Sequence, residues 1–222
     1  MDRPDLPGAI EAIVRRRTAR RYDPDRPVAD PVLRRALALA TRAPSARNLQ
    51  PWRFILVRSP RNRTRLRACT FGRAELADAP VAIIALAYLH PERTHASAMV
   101  EQLLSLGAIP PEVAAEALAR ASRRVDDPGL WAVRSAMLAV GTLLLAAEAL
   151  GLAASAILDG YDSNKIRAAF GVPDDHEIAG VIAIGYGLGE LPPDPGRFPI
   201  DEVCYEEHFG QPRPLDPPNA AD

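Results

Sequence analysis

Three short segments hold residue types whose spacing could do chemistry. Arg16-Arg17-Thr18-Ala19-Arg20-Arg21 gathers four guanidiniums and a hydroxyl within six residues. Guanidinium forks match phosphate oxygens two at a time, so this cluster suits a phosphate-bearing ligand, although a solvated basic face would read the same way. Pro44-Ser45-Ala46-Arg47-Asn48-Leu49-Gln50-Pro51-Trp52 packs Ser, Asn and Gln into one short polar loop. Loops held between regular elements are favoured for binding, with ordinary turn chemistry as the alternative. Ile157-Leu158-Asp159-Gly160-Tyr161-Asp162 closes an extended run, and Gly160 would let a ligand approach the backbone closely.

Other chemistries find no support. There is no G-x-S-x-G, H-E-x-x-H or P-loop motif. His90 and His95 are five apart, off the i, i+4 spacing that two metal ligands on one helix face need. No metal site is expected. Asp126-Asp127 and Asp174-Asp175 lie beside proline and read as caps or loop solvation. Gly185-Tyr186-Gly187-Leu188-Gly189 follows an apolar run, but Pro192 and Pro193 bar the helix whose N-terminus would hold a pyrophosphate. A nicotinamide, if used, is expected as a visiting substrate.

The chain has 222 residues, 48% hydrophobic and 25% charged, which fits one globular domain over 1–222. Cys69 and Cys204 are too few for a disulfide framework. The first twenty residues carry five arginines and no long apolar stretch, so no signal peptide is read and a cytoplasmic protein is expected. The net charge of −1 is unevenly spread: residues 1–73 hold 18 basic and 6 acidic residues (+12), the remainder 9 and 22 (−13). A basic first third points to a phosphate-bearing ligand, nucleic acid, or pairing with the acidic remainder.

These segments need elements to position them. Ile10, Ile13 and Val14 predict a short helix over 8–17 with one apolar stripe, running into the arginines. Asp30-Pro31 reads as N-cap and first helical residue of a helix to about Arg42, burying Val32, Leu33, Ala36, Leu37 and Ala40. Residues 52–57 read as a strand, 63–75 as a helix, and the apolar run 81–87 as a strand buried on both faces. Residues 88–130 read as irregular, with one helix near 111–124 that exits at Pro128-Gly129. The apolar stretch 135–158 is long enough for a membrane span, but Glu148 sits inside it, Gly141 and Gly151 interrupt it, and alanine dominates. It is read as a central helix over 131–150, capped by Gly151, at the heart of a domain or dimer. An extended segment over 153–158, a helix over 164–170 capped by Ser163, and a buried strand over 178–185 follow. From 190 the chain is proline-rich, with a brief extended piece near 198–204, and must lie along this subunit or another.

In order and spacing, these motifs resemble the nitroreductase family of FMN-dependent oxidoreductases over roughly residues 8–208. Arg16-Arg17-Thr18-Ala19-Arg20 matches its opening Arg-Arg-Ser-x-Arg motif, and Pro44–Trp52 nearly completes its Pro-Ser-x-x-Asn-x-Gln-Pro-Trp loop. Trp131 enters the central helix, Asp159-Gly160-Tyr161-Asp162 matches an acid-Gly-aromatic-Asp turn, and Arg197-Phe198-Pro199-Ile200 a late Arg-x-Pro-aliphatic motif. The resemblance implies an α+β fold, with a mixed central sheet flanked by helices, in an intertwined homodimer that exchanges its C-terminal arm (190–222). It places Arg16, Thr18 and Arg197, with Arg17 close by, on the FMN phosphate and ribityl chain. Arg20 would lie near the flavin N1–C2=O edge. Leu158, Asp159 and Gly160 would present backbone to N5 and O4, and Pro44, Ser45 and Asn48 would reach the flavin from the other subunit. Arg20, Asp159 and Gly160 are thus the candidate catalytic residues.

Reducing FMN puts negative charge on N1–C2=O, and a guanidinium there raises its two-electron potential. Departures from the family pattern are Thr18 for Ser, Asp159 for Glu, Pro195 for a phosphate-binding Lys, and Gly72 for a flavin-contacting Asn. The implied activity is ping-pong hydride transfer from NADH or NADPH, through flavin N5, to a nitroaromatic or quinone. A substrate-dedicated member of the same fold (a dehalogenase, flavin-destroying enzyme or biosynthetic dehydrogenase) is the alternative, with 88–130 as the lid that decides. A nucleic-acid module using the basic third is the remote one. Neither nucleic acid nor membrane is expected as a partner.

Overall fold

An unbroken apolar run suits a strand whose two faces are both covered, and residues 81–87 meet that condition in the computed structural model. The structure describes residues 7–190 and 192–211, which fall into two units divided after Leu191. The first unit runs α1 (Pro7–Arg15), α2 (Asp30–Ala40), β1 (Trp52–Val57), α3 (Pro60–Cys69), α4 (Glu75–Asp78), β2 (Val81–Tyr88), α5 (Pro91–Thr94), α6 (Ala96–Ser105), α7 (Ala114–Ala121), α8 (Pro128–Ala149), β3 (Ala153–Ile157), α9 (Ser163–Phe170) and β4 (His176–Gly185). The strands lie in the order β1-β2-β4-β3 and pair antiparallel throughout. Parallel pairing enters at one isolated bridge, between Thr18 and Ala154.

Alternate residues of the two central strands serve two cores. Ile83, Ala85, Ile182 and Ile184 pack with Leu33 and Ala36 of α2 and with Ala136, Val140 and Leu143 of α8. Ile84, Leu86, Val181 and Ala183 face the other way, onto Leu66 and Cys69 of α3, Leu76 of α4 and Ile166 of α9. Cys69 is buried, and desolvation pushes its thiol pKa up, as suits a packed side chain and not a nucleophile.

Several local expectations shift. Ala29, not Asp30, occupies the N-cap of α2, so Asp30 falls in its first turn. The helix expected over 63–75 ends at Cys69 because Phe71 (φ 51°) and Gly72 (φ 77°) turn left-handed, and Gly72 N bonds back to Arg67 O at 3.0 Å. Residues 88–130 are more helical than expected. Helices α6 and α7 enclose their own small core of Leu49, Ala96, Met99, Val100, Ala117 and Ala121. Pro128 opens α8 instead of closing the helix before it, and the Asp127 carboxylate caps it by accepting from Leu130 N at 2.9 Å. Among the described residues one helix, α8, is long and apolar enough to cross a membrane, and its inner stripe packs on the sheet.

The apolar stripe of α1 points outward. Ala12 is buried, while Ile10, Ile13 and Val14 are 69%, 59% and 63% exposed. Leu138 on α8 is also exposed.

In the second unit the piece expected to be extended near 198–204 contains a helical turn, α10 (Ile200–Val203), following Pro199. Asp201 and Glu202 lie in its first turn, where the exposed N–H groups favour negative charge. Arg197 donates to Gly196 O (2.6 Å) and pairs with Asp194 (3.8 Å), and the Tyr205 and Phe209 rings pack 4.7 Å apart. Residues 1–6, Leu191 and 212–222, which include the end of the proline-rich tail, lie outside the described residues.

Candidate active site

Leaving α1, the chain turns extended and is pinned to the outer edge of β3. Thr18 bridges Ala154, and Ala19 N donates to Ala154 O at 3.1 Å. Four residues later it is held beyond the end of β4, where Tyr22 bridges Gly187 and Asp23 N donates to Tyr186 O at 2.9 Å. The Tyr22 side chain is fully buried and its hydroxyl donates to Ala183 O at 3.2 Å. Burial first, and the Glu75 charge second, push its phenol pKa well up. The arginines flanking Thr18 are therefore presented from a fixed backbone.

Those arginines differ in engagement. Arg17 turns back on α1, donating to Val14 O (2.7 Å), Arg16 O (3.2 Å) and Arg15 O (3.3 Å), where carbonyls lack helical partners. Arg16 is half-buried as a residue, and its guanidinium makes no hydrogen bond or ion pair to a described residue. Arg20 pairs with the carboxylate of Glu75, which is buried.

At the far end of β3 the chain enters the turn Leu158-Asp159-Gly160, all three exposed. Gly160 sits at φ +65°, where a side chain is strained, and a Cβ there would stand 2.7 Å from Arg73 Nη2. The same Arg73 nitrogen donates to Asp159 Oδ1 at 3.1 Å. The backbone N–H groups of Asp159 and Gly160 donate to no described acceptor. Arg20 and Asp159, far apart in sequence, are thus each paired to one stretch, Arg73-Ala74-Glu75, which joins the cation cluster and the acid–Gly turn in one neighbourhood.

Asp162, not Ser163, is the N-cap of α9: its Oδ1 accepts from Lys165 N at 3.0 Å, and its own N–H donates to Cys69 O at 2.8 Å. The Lys165 N–H is the main reason its pKa is lowered. A lowered folded pKa means stability present above the unfolded carboxylate pKa and lost as pH falls through the folded one. Asp162→Ala should therefore melt below the parent protein at neutral pH, with the gap closing in acid; thermal melts across pH check this.

The Pro-Ser loop lies elsewhere on the chain. It makes a 3-10 turn over Ala46–Asn48 with left-handed residues at Arg47 (φ 57°), Asn48 (φ 54°) and Gln50 (φ 47°). Non-glycine residues in that region cost about 1–3 kcal/mol each and persist only where surroundings impose them. Ser45 Oγ accepts from Gln50 N at 3.0 Å, which leaves its O–H for another acceptor. Arg47 donates to Ala121 O (3.4 Å) and Arg123 O, and Ala46 N donates to Ser135 Oγ at 3.4 Å. His95 Nδ1–H donates to Leu49 O at 2.8 Å while its Nε2 accepts from Arg53 at 2.8 Å, since a guanidinium can only donate.

Within one chain, then, Arg20 is linked to Asp159 and Gly160 through Arg73-Ala74-Glu75, and Thr18 with its neighbours Arg16 and Arg17 lies beside the start of β3, whereas Pro44, Ser45 and Asn48 are held at another level of α8. The two parts are tied to α8 at different levels, Ser135 for the loop and Glu148 for the end of α1 (Arg15 Nε to Glu148 Oε1, 3.8 Å). Thirteen residues of helix separate those levels, roughly 20 Å. Arg197 belongs to the second unit. Sequence reasoning missed Arg73, Glu75 and Ser135. The left-handed Gly72 just before Arg73 was the available signal that this stretch is a turn and not a helix. Among the described residues no three His, Cys, Asp or Glu side chains cluster as metal ligands would.

An arginine-bearing thread on the edge of an antiparallel sheet, an open acid–Gly turn at its end and one long apolar helix behind it define a small α+β domain. The model of the nitroreductase family matches residues 13–186. A Thermus thermophilus protein named NADH dehydrogenase is 35% identical over 197 residues, 88% of this chain and 94% of that one. Protein DrgA of Synechocystis is 30% identical over 208 residues, 87% and 93% of the two chains. A structure from Exiguobacterium sibiricum solved in complex with FMN superposes with a TM-score of 0.81 at 21% identity, covering 93% of this chain and 99% of that one, and supports the fold. The chain belongs to the nitroreductase family, whose members are oxidoreductases.

Proposed function

We propose that this protein is a homodimeric FMN-dependent oxidoreductase that takes electrons from NADH or NADPH and reduces a flat, electron-poor acceptor, a nitroaromatic or a quinone. The observation that carries this reading is that Arg20 and the Asp159-Gly160 turn are both paired to Arg73-Ala74-Glu75. When bound, FMN supplies the redox chemistry, accepting a hydride at N5 from the nicotinamide and delivering it to the acceptor that follows in the same place. The residues present fit it. The Arg16 guanidinium, with no described partner, suits a phosphate of about −2 charge. Thr18 adds a hydroxyl for the phosphate and ribityl chain, with Arg17 shaping the end of α1. Arg20 would hold the N1–C2=O edge, through the guanidinium donors left open by its pairing with Glu75. The open N–H groups of Asp159 and Gly160 suit the N5 and O4 side, next to Leu158.

A second copy supplies Pro44, Ser45 and Asn48. The roughly 20 Å between the two parts along α8 closes if a partner's α8 runs antiparallel, setting its Ser135 level against the Glu148 level here. The outward Ile10, Ile13 and Val14, with Leu138, form the apolar face that such pairing would cover. The thread at Thr18 occupies the outer edge of β3, so β1 is left as the edge open to a partner's C-terminal arm. Beside it lies a groove of about 770 Å³ lined by Leu33, Leu37, Ala38, Leu56 and Arg58. In this reading residues 88–130 form a lid tied to the Pro-Ser loop through Arg47 and His95, and the enzyme works in the cytoplasm, where both nicotinamides are at hand.

Reconstitution with FMN followed by gel filtration should give a yellow dimer whose flavin band bleaches anaerobically with NADH, NADPH or both, and returns with menadione. A protein that stays colourless and monomeric after reconstitution overturns the reading.

A further inference from the structure

We infer that Glu75 is a positioning residue that offsets the charge of Arg20 and thereby holds down the reduction potential of the flavin. The inference rests on the proposed FMN site. Glu75 is only 4% exposed, and a carboxylate taken that far out of water needs a counter-charge. It has one in Arg20, whose own side chain is 67% exposed. The pair is therefore anchored at its acidic end and open at its basic end, which leaves guanidinium donors free for a ligand. The field of this carboxylate reaches beyond Arg20, since it also helps to raise the buried phenol of Tyr22.

Two opposite charges in contact present little net charge to a group lying beyond them. A lone guanidinium at the N1–C2=O edge would favour the reduced, negatively charged ring strongly; one neutralised from behind favours it less. Arg20 then contributes hydrogen-bond donors and orientation, and Glu75 decides how much of its charge the flavin feels. Arg73, two residues earlier on the same stretch, pairs with Asp159 in the same manner, so both edges of the site are charge-balanced from one short segment.

The test is an anaerobic redox titration of the reconstituted proteins against an indicator dye. Glu75→Gln keeps an acceptor for Arg20 and removes the charge. At equal poise its ratio of reduced to oxidised FMN should rise at least tenfold over the parent protein, about 30 mV for a two-electron couple. Arg20→Gln, which leaves the carboxylate alone, should lower the ratio at least tenfold. Glu75→Asp, which keeps the charge, should stay within threefold of the parent. In an Arg20→Gln background the rise from Glu75→Gln should differ from that with Arg20 present, because the two residues are in contact and do not act additively. A ratio unmoved in Glu75→Gln, or moved as far in Glu75→Asp, overturns the inference. If Glu75→Gln does not fold, an unmoved ratio in Arg20→Gln overturns it alone. Failure of the parent protein to take up FMN at all overturns the FMN site itself, and the inference with it, and is told apart by the missing flavin band.

Discussion

Arg16→Ala is expected to raise the FMN dissociation constant by about 10- to 100-fold, the loss that follows from deleting a charged hydrogen-bond partner of a phosphate. The apoprotein should melt where the parent does, because the Arg16 guanidinium has no described partner to lose. Arg17→Ala should show the opposite balance. That side chain donates to three carbonyls at the end of α1, so its removal should loosen α1 and weaken FMN binding less. Fluorescence titration with FMN, set beside melts of the apoproteins, separates the two. Equal loss of affinity in both variants, or none in Arg16→Ala, would move the phosphate away from Arg16.

The second large effect is expected at Gly160. A β-branched side chain at φ +65° is a steric outlier, and left-handed backbone costs an L-residue about 1–2 kcal/mol. In a unit of this size that lowers Tm by about 2–8 °C. The functional loss should be larger. The new Cβ would displace Arg73 from its contact with Asp159 and tilt the two N–H groups of the turn. Gly160→Val should slow reduction of bound FMN by NAD(P)H by roughly 100-fold, the size of effect seen when one aimed donor is lost. Stopped-flow bleaching at 450 nm, a wavelength general to flavins, measures it on the order of milliseconds to seconds. A Gly160→Val protein that folds, binds FMN and bleaches at the parent rate would place the chemistry elsewhere.

What could be read in the sequence follows from the range of the interactions involved. Strand β1 was legible to the residue, bounded by Pro51 and Ser59-Pro60. The doubly buried β2 was legible to within one residue, read as 81–87 and running to Tyr88, since seven consecutive apolar residues leave little else for the chain to do. The Pro-Ser loop and the acid–Gly turn were legible as motifs because each is continuous. The pairs Arg20–Glu75 and Arg73–Asp159 were not: each charge is ordinary in its local setting, and only the folded chain brings partners 55 and 86 residues apart into contact. Periodicity showed that α1 has an apolar stripe but not that the stripe faces outward, because that depends on what α1 packs against. The break after Cys69 was hidden for a different reason. It is made partly by Phe71, a residue type that rarely adopts positive φ. Helix α6 escaped because its segment, Ala-Ser-Ala-Met-Val-Glu-Gln-Leu-Leu-Ser, carries only a weak stripe, and Leu49 from a distant loop completes its core.

The threads from Thr18 to Ala154 and from Tyr22 to Gly187 also govern when the binding site can come into being. A ribosome delivers the arginines among the first residues and their backbone anchors among the last of this unit. Until the segment carrying Gly187 has emerged, the nascent chain has no fixed place for its cations, and loop closures this long make for slow folding. On the proposed FMN site, translation must almost finish the unit before Arg16 can meet a phosphate, which makes cofactor loading a late step of biogenesis.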